Sequence, residues 1–211
     1  MTGLKYRYNF LAMMHGSDRL YCNNYELKLY LTVNTDSEFD QDIAFNRMDF
    51  FIQEIISNSV FVHEDEPELL ERYMNLGIPA IAIQEPGTID HMILMTLVTK
   101  LNAICEDAVI IYNGEMSSVL GQGVEYVYFV DGEEIVLSDQ ADKWWNDTGP
   151  TFISKDCLTT PEEQTVHDFE PKITWKDYDL VWEYEYVEPE EEMKQADIPD
   201  NVIKLTDYNK K

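Results

Sequence analysis

The chain has 211 residues and a formal charge of -26, because it contains 41 Asp and Glu residues but only 15 Lys and Arg residues. A surface this negative repels nucleic acid and anionic membranes, which excludes direct binding to either, and it attracts basic proteins. With 45% hydrophobic and 12% aromatic residues, the chain has ample material for a packed core, which excludes a disordered acidic protein.

The sequence also predicts a cytoplasmic location. The longest apolar-rich stretch, residues 92–98, is too short to span a bilayer, and residues 1–8 lack the apolar segment of a signal peptide. The cysteines Cys22, Cys105 and Cys157 are widely spaced and form no CxxC pair. This usage predicts reduced thiols and disfavours both a disulfide framework and a structural zinc site.

Two segments near the N-terminus show the alternation of a β-strand, residues 5–10 and residues 25–33. In the second segment Glu26, Lys28 and Tyr30 lie on one face. The opposite face is apolar and consists of Tyr25, Leu27, Leu29 and Leu31. We expect the two segments to form an antiparallel pair.

A first helix is predicted after the polar, turn-rich residues 34–42. Asn46 or Asp49 is available to cap its start, and Asn58 and Ser59 are expected to end it. Its apolar residues fall at helical spacing and are Met48, Phe51, Ile52, Ile55 and Ile56.

A second helix is predicted to start at residues 86–88, after a further acidic stretch over residues 63–71. It is apolar almost all round, which indicates that it packs between other elements. Residues 109–112 and 124–130 then indicate two more strands, separated by a glycine-rich turn. The predicted order up to residue 130 is therefore ββααββ, an α+β fold.

That order, together with some local residues, resembles the T-fold family that contains the 6-pyruvoyl- and 6-carboxytetrahydropterin synthases. The matching pieces are Phe-Leu-Ala-Met-Met-His at residues 10–15, Arg19-Leu20 before the second strand, Met48-Asp49-Phe50 in the first helix, and Pro86 at the start of the second. The resemblance implies an antiparallel sheet with two helices on one face, and a homo-oligomeric ring of subunits forming a barrel.

The resemblance also implies where a zinc site would lie, and this sequence departs from it. The family holds zinc with one histidine at the end of the first strand and a His-Gly-His before the second, since zinc takes imidazole nitrogens in tetrahedral array. His15 stands near the first position, but Tyr21, Cys22 and Asn23 occupy the other three. The family's cysteine aligns with Ser17. We therefore expect no metal, no cofactor and no catalytic residue.

Two further family positions are similarly altered. The Asp-His pair after the first helix has only His63 with Glu64 and Asp65 nearby, and the pterin-anchoring glutamate falls at Asn113 or Glu115. A buried Glu115 could still accept paired hydrogen bonds from a pterin or guanine edge. The predicted vestigial pterin pocket consists of His15, Ser17, Cys22, Asn23, His63 and Glu115.

Residues 131–211 lie outside the resemblance and are predicted to be an acidic, aromatic-rich extension of the first domain, residues 1–130. All four tryptophans lie here, with more than half of the acidic residues. Residues 180–186 alternate as a strand with Leu180, Trp182, Tyr184 and Tyr186 on one face. That face either docks on the first domain or is covered by another chain. Residues 188–192 are expected to form an exposed loop.

These features support two hypotheses about function. In the first, the protein is a non-catalytic inhibitor of the kind that phages encode, and its carboxylates engage a basic, nucleic-acid-binding protein by imitating phosphates. The predicted partner-binding residues are Asp177, Asp179, Glu183, Glu185, Glu188, Glu190, Glu191 and Glu192. The alternative is a divergent pterin or deazaguanine-pathway synthase, or a pseudoenzyme that still binds a pterin or purine.

Overall fold

The computed structural model describes residues 3–15, 19–63, 65–83, 90–130, 144–150 and 173–183. The strands are β1 (Leu4–His15), β2 (Leu20–Val33), β3 (Val60–His63), β4 (Ala80–Ile83), β5 (Val109–Ser118) and β6 (Glu125–Phe129). The helices are α1 (Glu38–Phe50), continued by a π-helical segment (Phe51–Ile56), α2 (Pro67–Asn75) and α3 (Asp90–Cys105). Two 3₁₀ turns, Trp144–Asn146 and Trp175–Tyr178, lie in the C-terminal part.

The strands form one mixed sheet with the order β4-β3-β1-β2-β5-β6. β1 and β2 pair antiparallel over their whole length, which confirms the predicted pair, and β5 and β6 continue the antiparallel part. On the other side β3 runs parallel to both β1 and β4. The prediction of an α+β protein is confirmed, whereas the expected purely antiparallel sheet is wrong.

The predicted six elements are present, but a strand, a helix and a strand are inserted between the two predicted helices. β3 and β4 have only four residues each, and nearly all of them are buried. A strand buried on both faces does not alternate between apolar and polar residues, so its pattern is easily missed. α2 has only nine residues and starts at Pro67 in an acidic stretch, which explains why no helix was predicted there.

The sheet is covered by helices on both faces. α1 and α3 pack on one face, over the side chains that the alternation of β2 predicts to be buried. α2 packs on the opposite face, where Leu70 meets a small cluster from β3 and β4. Along β3, Phe61 belongs to the larger core and its neighbours Val60 and Val62 belong to the smaller one.

The start of α1 differs from the prediction. Ser37 is the N-cap, since its hydroxyl oxygen accepts a hydrogen bond from the Asp40 amide at 3.2 Å, and Asn46 and Asp49 lie within the helix. The acidic first turn of α1 is favourable because carboxylates are stabilised at a helix N-terminus. The first half of α1 buries few apolar residues, so helical periodicity is weak where the helix begins.

The described C-terminal segments, 144–150 and 173–183, pack against α1 and α3, which we call the helical layer. Trp144, Trp145, Trp175 and Trp182 are all buried in the larger core. The predicted strand over residues 180–186 is wrong for its described part, 180–183, which follows a 3₁₀ turn and pairs with no strand. The boundary at residue 130 stays a prediction.

None of the helices in the described parts of the chain is long and apolar enough to cross a membrane.

Candidate functional site

The structure does not bring the predicted zinc-site positions together. His15 lies at the end of β1, and its Nδ1 is 2.8 Å from the Tyr73 hydroxyl of α2. Cys22 is exposed on β2 and pairs with Met13 across the sheet. The next residue, Asn23, is buried. Successive strand residues point to opposite faces, so Cys22 and Asn23 cannot serve one site.

His63 lies at the same end of the sheet as His15, at the end of β3. Its Nδ1 is 3.7 Å from a carboxylate oxygen of Asp65, and the Asp65 amide donates a hydrogen bond to that nitrogen at 3.1 Å. In the parallel register Met14 pairs with Phe61, so the alternation of both strands places His15 and His63 on opposite faces. Ser17 and Glu64 lie outside the described residues.

The residues present do not fit the zinc site that the resemblance implies. A catalytic zinc needs three protein ligands that converge within about 2 Å of the metal. Across the described ranges, no group of three or more His, Cys, Asp or Glu side chains could hold a metal ion. No step of a reaction can be built on such a site.

Glu115 lies on the sheet face that α1 and α3 leave uncovered. The Tyr30 hydroxyl donates a hydrogen bond to one Glu115 oxygen at 2.7 Å, and the Lys28 ammonium lies 3.6 Å from the other. Lys28 also pairs with Glu125, and Lys5 donates to the Tyr30 hydroxyl at 2.6 Å. We call this row of side chains the polar ladder: Lys5, Tyr30, Glu115, Lys28 and Glu125.

The polar ladder favours the ionised form of Glu115. Its pKa is lowered, chiefly by the hydrogen bond from Tyr30 and also by the nearby charges of Lys5 and Lys28, while partial desolvation opposes the shift. A carboxylate already paired in this way is an occupied acceptor, not a free anchor. Asn113, the other predicted position for the anchor, pairs with Tyr30 and Phe129 in the sheet.

Three of the predicted partner-binding acids are described, and all three are exposed: Asp177, Asp179 and Glu183. Asp177 is also structural, because its carboxylate accepts hydrogen bonds from the Thr174 amide at 2.6 Å and the Thr174 hydroxyl at 2.9 Å. These bonds lower its pKa. Glu185, Glu188, Glu190, Glu191 and Glu192 lie outside the described residues.

A buried arginine holds this acidic segment on α1. Arg47 is fully buried, and its Nε donates to the Leu180 carbonyl at 2.8 Å. Its guanidinium lies 4.1 Å from the ring centre of Trp182 and 5.0 Å from that of Trp175, and it pairs with Glu106 at 2.7 Å. Such stacking and forked hydrogen bonding suit arginine better than lysine.

A buried lysine holds the other C-terminal segment. The Lys100 ammonium of α3 donates to the carbonyls of Trp144, Asp147 and Gly149 at 3.1, 2.6 and 2.8 Å. The Trp144 indole in turn donates to the Ala82 carbonyl of β4 at 3.1 Å. Neither Arg47 nor Lys100 was predicted to be a site residue. The available signal was a single basic residue next to apolar residues within a predicted helix.

The burial of Arg47 and Lys100 removes positive charge from the surface of the helical layer. Arg47 and Lys100 are the basic residues of α1 and α3, and both are fully buried. The exposed acids of α1 and of segment 173–183 together define what we call the acidic face: Glu38, Asp42 and Asp49, with Asp177, Asp179 and Glu183. Phe50 of α1 packs against Tyr178 with 4.3 Å between the ring centres, so segment 173–183 contacts the C-terminal end of α1.

A second group of polar residues lies under the start of α3, and only its member Asn23 was predicted to be a site residue. We call it the buried polar cluster: Asn23, Tyr25, Asp90 and Ser118, all buried. Tyr25 and Ser118 pair directly across β2 and β5, and the Ser118 hydroxyl donates a hydrogen bond to Asp90. An acid in the first turn of an otherwise apolar helix was the signal that could have found it.

Burial dominates the ionisation of this cluster. Desolvation raises the pKa of Asp90, and the hydrogen bond from Ser118 opposes that rise. Desolvation also raises the pKa of Tyr25; a side-chain hydrogen bond with Asn23 opposes that rise, and the nearby charge of Asp90 adds a smaller increase. Both shifts follow from placing ionisable groups in a dry environment.

The comparisons with known proteins add no identification: no protein-family model matches the chain, and no curated protein matches it. The resemblance to the T-fold family therefore depends on the residues quoted above.

Proposed function

We propose that the protein is a non-catalytic binding protein whose acidic face engages a basic, nucleic-acid-binding protein, in the manner of a phage inhibitor that imitates nucleic acid. The observation that carries this proposal is the burial of Arg47 and Lys100, which leaves the exposed side of α1 and segment 173–183 strongly acidic. Lys176 is the basic residue of segment 173–183, and it is exposed.

The geometry of the acids bears on whether they can imitate phosphates. Along α1, Glu38, Asp42 and Asp49 recur after four and seven residues, or about 6 and 10 Å along the helix axis. One strand of duplex DNA presents a phosphate about every 3.4 Å. A single helix is therefore too sparse, and the second row from segment 173–183 supports the proposal because it raises the charge density.

The arrangement of the sheet supports a T-fold-like scaffold for this surface. Without the inserted β3, α2 and β4, the elements follow the order ββααββ, and β1, β2, β5 and β6 are consecutive neighbours in the sheet. We infer a homo-oligomer on the same resemblance. A ring would repeat the acidic face around its outside and so extend the row of charges.

Matched charge reversals test the proposal. Asp42→Lys with Glu183→Lys changes the acidic face, and both residues are exposed. Glu68→Lys with Glu71→Lys makes the same change in charge on α2, on the opposite face of the sheet. The first pair should abolish capture of a basic protein from host lysate, and the second pair should leave it intact.

Displacement by DNA separates imitation from nonspecific attraction. A captured partner that recognises phosphates should be released by duplex DNA, and its capture should weaken as salt is raised. If both double variants capture equally well, or if DNA fails to release the captured protein, the proposal is wrong.

The synthase alternative has less support from the described residues. It needs a set of metal ligands, and His15, Cys22 and His63 do not converge. A pseudoenzyme that still binds a heterocycle would depend on a pocket other than the predicted vestigial pterin pocket.

A further inference from the structure

The acidic face carries an exposed aromatic side chain. Tyr178 is 39% exposed, and Asp177 and Asp179 flank it in the chain. Its ring packs against Phe50 of α1, with 4.3 Å between the ring centres. Aromatic residues are enriched at the centres of protein interfaces, where a few side chains supply most of the binding energy. Tyr178 is therefore well suited to anchor a partner on the acidic face.

The turn that presents Tyr178 is preorganised. A 3₁₀ helix has three residues per turn, so Trp175 and Tyr178 lie on the same side, and Phe50 contacts both rings. A capping box closes the start of this turn, and the Leu180 amide closes its end by donating to the Trp175 carbonyl at 2.9 Å. A side chain that is held in place before binding loses less conformational entropy when a partner docks.

Asp179, the residue after Tyr178, offers an unoccupied carboxylate. It is exposed and ends the turn with a left-handed backbone, at a φ of 57°. Within the described ranges its side chain makes no hydrogen bond or ion pair, whereas that of Asp177 is engaged by Thr174. An aromatic ring and a carboxylate on adjacent residues suit a guanidinium group, which stacks on the ring with its flat face and donates forked hydrogen bonds from its edge.

The buried side of the same turn already binds a guanidinium group in this way. The Arg47 guanidinium lies 5.0 Å from the ring centre of Trp175, and it pairs with the Glu106 carboxylate at 2.7 Å. Tyr178 and Asp179 repeat this combination of ring and carboxylate on the exposed side. There, no basic residue of the described part of the chain stacks on the ring.

We propose that Tyr178 and Asp179 bind an arginine side chain of the basic partner, with the guanidinium stacked on the Tyr178 ring and its N–H groups donated to the Asp179 carboxylate. This inference rests on the proposed function and extends it to the chemistry of the partner. The partner's basic surface is recognised through arginine in preference to lysine, because an ammonium group has no flat face and cannot form the forked pair.

Short peptides test this chemistry directly. The acetylated amides of tetra-arginine and tetralysine carry the same charge, so their general attraction to a chain of charge -26 should be alike. Titration calorimetry of the full chain in about 0.15 M sodium chloride should show at least about threefold tighter binding of tetra-arginine. A cation–π contact at an exposed site contributes about two- to fivefold, and the forked hydrogen bonds add to it.

Four variants assign this preference to the two residues. Tyr178→Leu keeps an apolar contact with Phe50 but removes the aromatic face, so tetra-arginine should lose its advantage while the affinity for tetralysine stays the same. Tyr178→Phe keeps the ring and should keep the advantage. Asp179→Asn removes the charge, suits the left-handed backbone, and should weaken tetra-arginine more than tetralysine. Tyr112→Leu, at an exposed tyrosine of β5, is the matched control and should change neither affinity.

Hydrogen exchange of the Leu180 amide shows whether each variant keeps the turn closed. If the turn opens in Tyr178→Leu, the decision passes to Asp179→Asn. The proposal is overturned if the wild-type chain binds both peptides equally, if Tyr178→Leu with a closed turn keeps the arginine advantage, or if Asp179→Asn weakens both peptides to the same extent.

Failure of the proposed function would look different. In that case the charge reversals Asp42→Lys with Glu183→Lys would leave capture of a basic protein intact, or DNA would not release the captured protein, while the preference for tetra-arginine persisted. Conversely, salt-sensitive capture that DNA reverses, together with equal binding of the two peptides, would support the proposed function and reject arginine recognition by Tyr178 and Asp179.

Discussion

Single residues decide how the C-terminal segments attach to this protein. The Lys100 ammonium has three protons, and each has a backbone carbonyl within hydrogen-bond distance. Full satisfaction of its donors explains how a charged side chain is tolerated inside the core, since a buried charge is costly unless it is hydrogen-bonded.

Replacement of Lys100 by Met should therefore destabilise the protein by about 3 kcal/mol, because three carbonyls lose a charged donor. The free energy of unfolding in urea, followed by tryptophan fluorescence, measures the effect. Lys176→Met, on an exposed residue, is the control and should change the stability by less than about 0.5 kcal/mol. Equal stability of the two variants would show that the carbonyl contacts contribute little.

The polar ladder allows a prediction about ionisation at the residue scale. Tyr30→Phe removes the main cause of the lowered pKa of Glu115, so that pKa should rise towards its ordinary value. A carboxylate with a lowered pKa in the folded state stabilises the fold above its unfolded pKa, and this contribution is lost as pH falls through the folded pKa. Tyr30→Phe should therefore lose part of the stabilisation that Glu115 supplies above its unfolded pKa.

An NMR titration of the Glu115 carboxyl group measures the change directly. Tyr112→Phe, on an exposed tyrosine of the neighbouring strand, serves as the control. An unchanged Glu115 pKa in Tyr30→Phe would mean that Lys5 and Lys28 dominate instead.

At the scale of elements, segment 173–183 is held on α1 mainly through Arg47. Arg47→Lys keeps the charge but loses the stacking on Trp182 and the paired donors, so we expect this segment to open more often. Hydrogen exchange of the Leu180 amide, which donates to the Trp175 carbonyl at 2.9 Å, should become faster while amides of β1 and β2 keep their protection.

Arg72→Lys on the exposed side of α2 is the matched control and should leave exchange at Leu180 unchanged. If Arg47→Lys also leaves it unchanged, the tryptophans alone hold the segment in place.

The sequence predicted the elements that pair with a neighbour along the chain, and the elements whose two faces differ in polarity. The alternation in β2 and the apolar length of α3 predicted both elements and their buried residues. β3 and β4 carry no such contrast, since they are covered on both faces. The partners of Arg47 and Lys100 could not be predicted, because they are carbonyls distant in sequence.

The candidate sites show the same limit. Alternation along β2 already separates Cys22 from Asn23, so the scattering of the predicted zinc positions could have been inferred from the strand pattern. By contrast, Ser118 and Asp90 meet only because α3 crosses the sheet where β2 and β5 pair. The spacing of these residues in the sequence does not predict that contact.

For the whole molecule, the dominant quantity is the charge of -26. Repulsion among like charges destabilises a compact state, and salt screens it over a Debye length of about 10 Å at 0.1 M. Raising sodium chloride from about 20 mM to about 0.5 M should therefore increase the urea midpoint of unfolding. The Glu68→Lys, Glu71→Lys variant carries less negative charge and should gain less from salt; an equal gain would point to general salting-out.

The buried cations also have a consequence for protein synthesis. On the ribosome, α1 and α3 leave the exit tunnel well before residues 144–183, so for a time Arg47 and Lys100 have no indole or carbonyl from these segments around them. A nascent chain that terminated after β6 would keep two charged groups on an apolar surface. Such a chain would unfold readily and be degraded by cellular proteases. Emergence of residues 144–150 and 173–183 is thus the step at which the helical layer closes.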